Sequence, residues 1–239
     1  MSEKNPINNI HAAETEEVVD TQPSTQPRPS FYDEQWKPGD ELLSKYKVDR
    51  ILGKGGMGVV YLVRQINGDY EYAVKTLRTS RNSVKLRRRL MREIRTWMDL
   101  PDHPNLARCY FFRTIDDNMT VFSEFIDGGT LFDWARSPEP QSLEKILDVL
   151  IQLAWGLHAA HVNSVIHQDV KSSNVLLTRE GIVKLTDFGL SSIGATEEME
   201  SPNPDAVRRT LVTSHGMTPA YCSPEQANKR KLCSKTDMW

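Results

Sequence analysis

Two carboxylates, Asp169 and Asp187, lie with a lysine, Lys171, and an asparagine, Asn174, in the stretch VIHQDVKSSNVLLTREGIVKLTDFGL from Val165 to Leu190. Asp and Asn side chains offer hard oxygen ligands of the kind Mg²⁺ takes, and a carboxylate can also accept a proton from a reacting hydroxyl. A lone Asp-x-Lys is common and says little, so the value of the stretch depends on what brings Asp187 back to Asp169. Val175-Leu176-Leu177 and Val183-Lys184-Leu185 are short apolar runs separated by Thr-Arg-Glu-Gly. That pattern predicts a hairpin, and closing it returns Asp187 to the loop from Asp169 to Asn174.

A second group lies upstream. Gly53-Lys-Gly55-Gly56-Met-Gly58 follows the alternating stretch Tyr46–Ile51 and is followed by Val59-Val60-Tyr61-Leu62-Val63. A dinucleotide fingerprint needs a helix after its glycines. Here β-branched and aromatic residues follow, so the glycines form the turn of a hairpin, whose backbone N–H groups can approach phosphate oxygens without Cβ atoms in the way. Seventeen residues after Gly58 comes Lys75, at the end of a predicted strand Tyr70–Lys75. Leu86, Leu90, Ile94 and Trp97 then recur at spacings of four and three, which predicts an amphipathic helix over 84–100. Glu93 sits on the edge of its apolar stripe and can point inward to Lys75. Lys85-Leu-Arg87-Arg88-Arg89 reads most simply as the solvated face of that helix, with Arg89 the residue in reach of a phosphate elsewhere in the chain.

The array from His167-Gln168-Asp169 to Asp187-Phe188-Gly189, with the glycine loop, Ala73-Val74-Lys75, His103-Pro104-Asn105-Leu106 and Ser223-Pro224-Glu225, resembles the signature set of protein kinases. It extends from about Leu42 to Trp239. Lys171 two residues after Asp169 resembles the Ser/Thr class, and Gly-Gly-Met-Gly with Thr218-Pro-Ala-Tyr-Cys-Ser-Pro-Glu-Gln is most similar to bacterial Ser/Thr kinases. The resemblance implies an α+β, two-lobed fold: a β-rich lobe over 42–126 with one main helix, and part of a mainly helical lobe over 127–239. It implies transfer of the γ-phosphate of ATP to Ser/Thr hydroxyls of protein substrates, with Mg²⁺ as cofactor. Its catalytic residues would be Asp169 as proton acceptor, Lys171 at the moving phosphate, and Lys75 held by Glu93. Asn174 and Asp187 would be the metal ligands. The nucleotide would be enclosed by Leu52, Gly53, Gly55, Gly56, Gly58, Val60, Ala73, Ser123, Glu124, Ile126 and Leu176. Ser123 falls where a small residue enlarges the pocket behind adenine, and Thr130 and Ser173 stand where basophilic kinases often carry acids.

Departures matter as much. The family's His-Arg-Asp is His167-Gln168-Asp169 here, so the charged grip on an activation-segment phosphate is lost and activity is expected to depend little on phosphorylation at Ser214. From Asp187 to Glu225 the segment runs 39 residues, longer than usual, the excess lying at Ala195–Arg209. Asp237-Met-Trp239 resembles the opening of the central helix of the helical lobe, so a longer parent chain is expected. Rival readings are a nucleotide-binding pseudokinase and a regulatory fragment. Pseudokinases tend to lack the lysine, the catalytic Asp or the metal Asp, all of which stand here.

Composition bounds the rest. Apolar content of 38% is enough for a core, and a net charge of −2 argues against a general binder of nucleic acid or membrane surfaces. Three cysteines, Cys109, Cys222 and Cys233, have no metal-ligand spacing and fit a reduced, cytoplasmic setting. His158, His161 and His167 lack the companions of a zinc site. No apolar run is long enough to span a membrane. Residues 1–41 are polar, with Thr21-Gln-Pro-Ser-Thr-Gln-Pro-Arg-Pro-Ser30 at the centre, and are expected to be a disordered tail that offers a Pro-rich segment to a partner. Ser142–His161 is expected to be a helix buried along its stripe of Leu143, Ile146, Leu147, Leu150, Ile151, Ala154 and Leu157.

Overall fold

A computed structural model describes residues 35–55, 58–77, 84–188, 218–228 and 230–239. Gly56, Gly189, Ser214, the stretch 195–209 and the first 34 residues, all singled out above, lie outside the described residues.

Alternation of apolar and polar residues produces six antiparallel strands: β1 (Glu41–Leu42), β2 (Tyr46–Gly55), β3 (Gly58–Gln65), β4 (Glu71–Leu77), β5 (Cys109–Ile115) and β6 (Asn118–Glu124). They form one sheet in the order β1-β2-β3-β4-β6-β5. The glycines do turn a hairpin, with Gly55 opposite Gly58. Lys75 is not at a strand end; β4 continues through Thr76 and Leu77, which pair with Thr120 and Met119. Helix α1 (Val84–Met98) lies where its periodicity predicts. Leu86, Leu90, Ile94 and Trp97 are all buried in one core with Leu77, Met119 and Val121 of the sheet.

The outer face of the sheet has its own core of Val48, Val59, Tyr61, Val63, Tyr72, Val74 and Phe122. Trp36 caps it. This indole is only 4% exposed, packs on the Tyr61 ring at 5.1 Å between centroids, and donates from Nε1 to Asp116 Oδ2 at 3.3 Å. The Tyr61 hydroxyl accepts from the backbone N–H groups of Gln35 and Trp36. The expected tail of 1–41 is therefore too long. Residues 35–41 belong to the folded domain: Trp36 buries its ring against Tyr61, and Gly39 and Asp40 exchange backbone hydrogen bonds with Val48 of β2.

Past the sheet come α2 (Leu131–Ala135), capped reciprocally by Thr130 and Asp133, and α3 (Leu143–Val162), whose first turn is capped by Ser142 Oγ accepting from Lys145 N. Burial along α3 differs from expectation. Val149, Gly156, Leu157, Ala159 and Ala160 are buried, but Leu143 is 70% and Ile151 55% exposed, and Ile146, Leu147 and Leu150 are exposed too. A helix apolar over more than one face needs neighbours on each, and the described residues cover the face toward Val183–Leu185. The hairpin of β7 (Val175–Leu177) and β8 (Val183–Leu185) forms as predicted, its turn closed by Gly181 at φ +86°, a conformation open to glycine at no steric cost. Last is α4 (Pro224–Ala227), with Ser223 as N-cap and Pro224 at its start. Ser234–Met238 forms a 3₁₀ turn.

Candidate active site

The two lobes' sheets meet where Leu106 bridges Leu185 in parallel, with Ala107 N donating to Leu185 O at 2.9 Å and Leu185 N to Asn105 O at 3.0 Å. This junction holds β8, and with it Asp187, against the β-rich, upper lobe. Thr186 N donates to Asn174 O at 3.0 Å, so the two candidate metal ligands are tied through one backbone bond.

Asp169 is buried. Its Oδ2 accepts from Lys171 Nζ at 2.6 Å and from Asn174 Nδ2 at 3.0 Å, and Asn174 Nδ2 also reaches Asp169 O at 3.0 Å. Lys171 Nζ donates in turn to Thr218 Oγ1 at 2.9 Å. A buried carboxylate with two such donors on one oxygen is held in one orientation by charge-assisted bonds.

The loop under Asp169 is held by a carboxylate whose role its sequence context did not reveal. Asp237 is buried and accepts from His167 N at 2.8 Å, Gln168 N at 2.7 Å and His161 Nε2 at 2.8 Å. Gln168 has φ +70°, an unfavourable region for a residue with a Cβ. It is fixed there by Asp237 on its N–H and by Gln226 Nε2 on its carbonyl at 2.7 Å. No spacing rule links position 237 to a loop about seventy residues earlier. Thr236, next to it, donates to Glu225 Oε1 at 2.7 Å and holds that carboxyl below its ordinary pKa.

His167 is fully buried and packs on the Phe188 ring at 4.6 Å. Burial lowers its pKa, outweighing the opposing effect of the Thr186 carbonyl. Nδ1 accepts from Asp169 N at 3.2 Å, which puts the neutral ring's proton on Nε2, donating to Thr186 O at 2.8 Å. His161 is taken by Asp237, and His158 lies against the Trp155 ring. Among the described residues no group of three or more His, Cys, Asp or Glu is placed to hold a metal.

The expected Lys75–Glu93 pair is not formed. Lys75 Nζ donates to Asp187 Oδ2 at 2.6 Å, while Glu93 Oε1 lies 4.0 Å from Arg89 Nε on its own helix. The physical reason is competition. Asp187, itself at φ +65°, brings an anionic oxygen to the same ammonium, and Arg89 offers Glu93 a partner one turn away.

Residues expected around a nucleotide are spread over four strands of the large sheet and the β7–β8 hairpin. Leu52 is on β2, Val60 on β3, Ala73 on β4, Ser123 and Glu124 on β6, Ile126 just beyond, and Leu176 on β7. Ala73 pairs with Ser123, whose hydroxyl donates to Ala73 O at 3.1 Å. Ser123 is thus a bonded residue, and buried Cys109 faces it on β5; burial raises that thiol's pKa and keeps it inert. The Glu124 carboxylate is held by Lys184 Nζ at 2.8 Å and Arg108 N at 3.0 Å. Lys184 and Glu124 also line a cavity of about 390 Å³ that reaches Trp97, His103 and Cys109. Thr130, by contrast, spends its hydroxyl on capping α2.

The glycines test the fit of a polyphosphate. At Gly58, with φ +145°, a Cβ would stand 1.7 Å from Thr76 O, so glycine is required by the fold itself. At Gly53 and Gly55 a Cβ would meet nothing within 4 Å. Protein packing does not require glycine at these two positions, where a Cβ would stand in open space. Oxygen donors at Asn174 and Asp187, with cations at Lys75 and Lys171, make the donor set one that suits Mg²⁺ and phosphate.

Comparison with known proteins agrees with this geometry. The family model described as protein kinase domain matches residues 46–239. The serine/threonine-protein kinase PrkC of Bacillus subtilis is 31% identical over 202 residues, covering 84% of this chain and 30% of that protein. The serine/threonine-protein kinase pkn2 of Myxococcus xanthus is 32% identical over 205 residues, covering 83% of this chain and 23% of that one. The chain thus spans a third or less of the length of these bacterial relatives. Among solved structures, the kinase domain of Mycobacterium tuberculosis PknI superposes with a TM-score of 0.64 at 24% identity, over 85% of this chain and 71% of that chain, a likeness of fold. On the family match and the fold together, the chain belongs to the protein kinase domain family.

Proposed function

We infer that the chain is the phosphotransferase part of an ATP-dependent protein serine/threonine kinase. The observation that carries this reading is the convergence of Lys171 Nζ and Asn174 Nδ2 on Asp169 Oδ2, in a site whose other carboxylate, Asp187, is met by Lys75. Bound Mg·ATP would supply the γ-phosphoryl group and, through the metal, neutralise charge between the phosphates. Gly53, Gly55 and Gly58 would lie over the phosphates and Lys75 would bind them. Asn174 and Asp187 would hold the metal. Leu52, Val60, Ala73 and Leu176 would enclose the base, with backbone groups at Glu124 and Ile126 as its hydrogen-bonding edge.

The protein's own share of the chemistry is positioning and proton handling. Asp169 takes the proton of the substrate hydroxyl and orients its oxygen. Lys171, already bonded to Asp169, compensates negative charge beside it. Asp237 and Gln226 keep the loop from relaxing out of the strained Gln168 conformation. Neutral His167 fixes Asp169 N without adding charge to the site.

Ser/Thr rather than Tyr acceptors are supported by Lys171 two residues after Asp169. Gln168, a neutral amide, supports activity without phosphorylation at Ser214, and Ser214→Ala is expected to leave kcat close to that of the parent. Three cysteines outside any disulfide support a cytoplasmic setting, and among the described residues no helix is long and apolar enough to cross a membrane. The Pro-rich segment before Gln35 remains the place for a partner. Incubation with γ-labelled ATP, Mg²⁺ and a protein acceptor, followed by phosphoamino acid analysis, tests the reading. Label on Ser or Thr that needs Asp169 supports it, and nucleotide binding without any transfer contradicts it.

A further inference from the structure

Helix α1 breaks the charge rules of an exposed helix. It carries Arg87, Arg88, Arg89, Arg92 and Arg95 against a single acid, Glu93, and its first turn contains no acid at all. Cations near a helix start oppose the macrodipole, and like charges three or four residues apart repel, as at Arg88/Arg92 and Arg92/Arg95. A local rule broken without gain inside the fold is expected at functional surfaces.

The partners divide these arginines into two sets. Arg87 Nη2 donates to Thr114 Oγ1 at 2.8 Å, and Arg89 lies by Glu93. Arg88, Arg92 and Arg95 are exposed, and among the described residues no carboxylate pairs with them. Their spacing of four and three sets them on one face, opposite buried Leu86, Leu90, Ile94 and Trp97. The stripe is about 10 Å long at ~1.5 Å of rise per residue.

We propose that this face of α1 docks an acidic or phosphorylated segment of a partner protein. Guanidinium groups grip carboxylate and phosphate in a planar, two-bond fork that an ammonium cannot reproduce, and all three positions are arginine. Three extended residues, at ~3.3 Å each, match the stripe. A bilayer or a long nucleic acid calls for a broad positive field, whereas this chain carries a net charge of −2 and a narrow positive stripe. The face belongs to the helix that carries Glu93, but its occupancy can be read without any phosphate transfer, so the proposal stands apart from the catalytic reading.

The test is fluorescence anisotropy of a labelled octapeptide of glutamate and phosphoserine, titrated with the full chain at low salt and again at 0.5 M salt. Wild type is compared with Arg88→Gln/Arg92→Gln/Arg95→Gln, in which glutamine keeps helix propensity and a melting curve checks folding. The expected result is saturable, salt-sensitive binding that weakens at least tenfold in the triple glutamine variant, with partial retention in the corresponding triple lysine variant. No saturable binding by wild type, or equal binding by the glutamine variant, overturns the proposal. Tighter, arginine-dependent binding of phosphatidylserine vesicles or duplex DNA than of the peptide overturns the partner class.

Discussion

Lys75 Nζ stands 2.6 Å from Asp187 Oδ2, and this pair links the upper-lobe sheet to the residue that opens the Asp-Phe-Gly sequence. The same ammonium is expected to serve the phosphates and the same carboxylate the metal. In the structure they satisfy each other, both largely shielded from water, and Glu93 lies beside Arg89 instead. On the proposed function, bound nucleotide and metal would draw these partners apart, Asp187 toward the metal and Lys75 toward a phosphate and Glu93.

Lys75→Met should therefore lower kcat by about 10²–10³-fold, the scale of losing one preorganised charge at a reacting centre. Glu93→Gln should lower it less, because Glu93 lies beside Arg89 here and would meet Lys75 only once Asp187 had let it go. Steady-state kinetics on the two variants checks the order. An equal or larger loss in Glu93→Gln would contradict the exchange of partners.

Asp237 is buried and accepts from the backbone N–H groups of both residues preceding Asp169. Asp237→Asn replaces an acceptor with an amide that also presents hydrogens to two N–H donors. The expected cost is about 1–3 kcal/mol of stability for the unsatisfied buried groups, with kcat falling at least tenfold and KM for ATP nearly unchanged. Denaturant titration beside kinetics separates the two effects. A fall in stability with kcat intact would make Asp237 structural only.

Trp36 gives the folded domain a measurable boundary. Trp36→Ala removes a buried aromatic from the outer core and should destabilise by about 3–5 kcal/mol, while Trp36→Phe should restore a large part. Urea unfolding provides the number. A cost near zero would return residues 35–41 to the tail.

His167 gives a pH dependence of known sign. Its folded pKa lies below the ordinary histidine value of 6.5, so the unfolded chain binds the extra proton first. Its contribution is fully present above about pH 6.5 and is lost as pH falls from there through the lower folded value. In that window the wild type should lose stability more steeply than His167→Gln, by up to ~1.4 kcal/mol per pH unit for one proton. Denaturation midpoints at pH 7.5, 6.5 and 5.5 decide it, and parallel curves would contradict the buried neutral imidazole.

Much of this site was legible because its parts are local. The β7–β8 hairpin, the glycine turn and the periodicity of α1 each follow from runs of fewer than twenty residues, and Asp169, Asn174 and Asp187 come together as soon as that hairpin closes. Long-range and competitive features were less legible. Asp237 reaches its targets across about seventy residues, and nothing in Thr-Asp-Met-Trp announces that its carboxylate is buried. The partner of Lys75 depends on which of two carboxylates lies nearer, a balance that spacing does not set. Trp36 sits among polar residues and finds its place only against Tyr61 and Asp116. The exposed stripe of α3 shows the converse limit: apolar periodicity gives a helix and the faces it can bury, and the neighbours decide which faces are covered.

The most direct test of the central claim is the intact mass of the purified chain after incubation with Mg·ATP, beside Asp169→Asn treated identically. The account predicts added phosphate on the parent, mapping to Ser or Thr, and none on the variant. Equal phosphate on both would remove Asp169 from its catalytic role. No phosphate on either, with an added protein acceptor also unmodified, would contradict phosphotransfer by this chain.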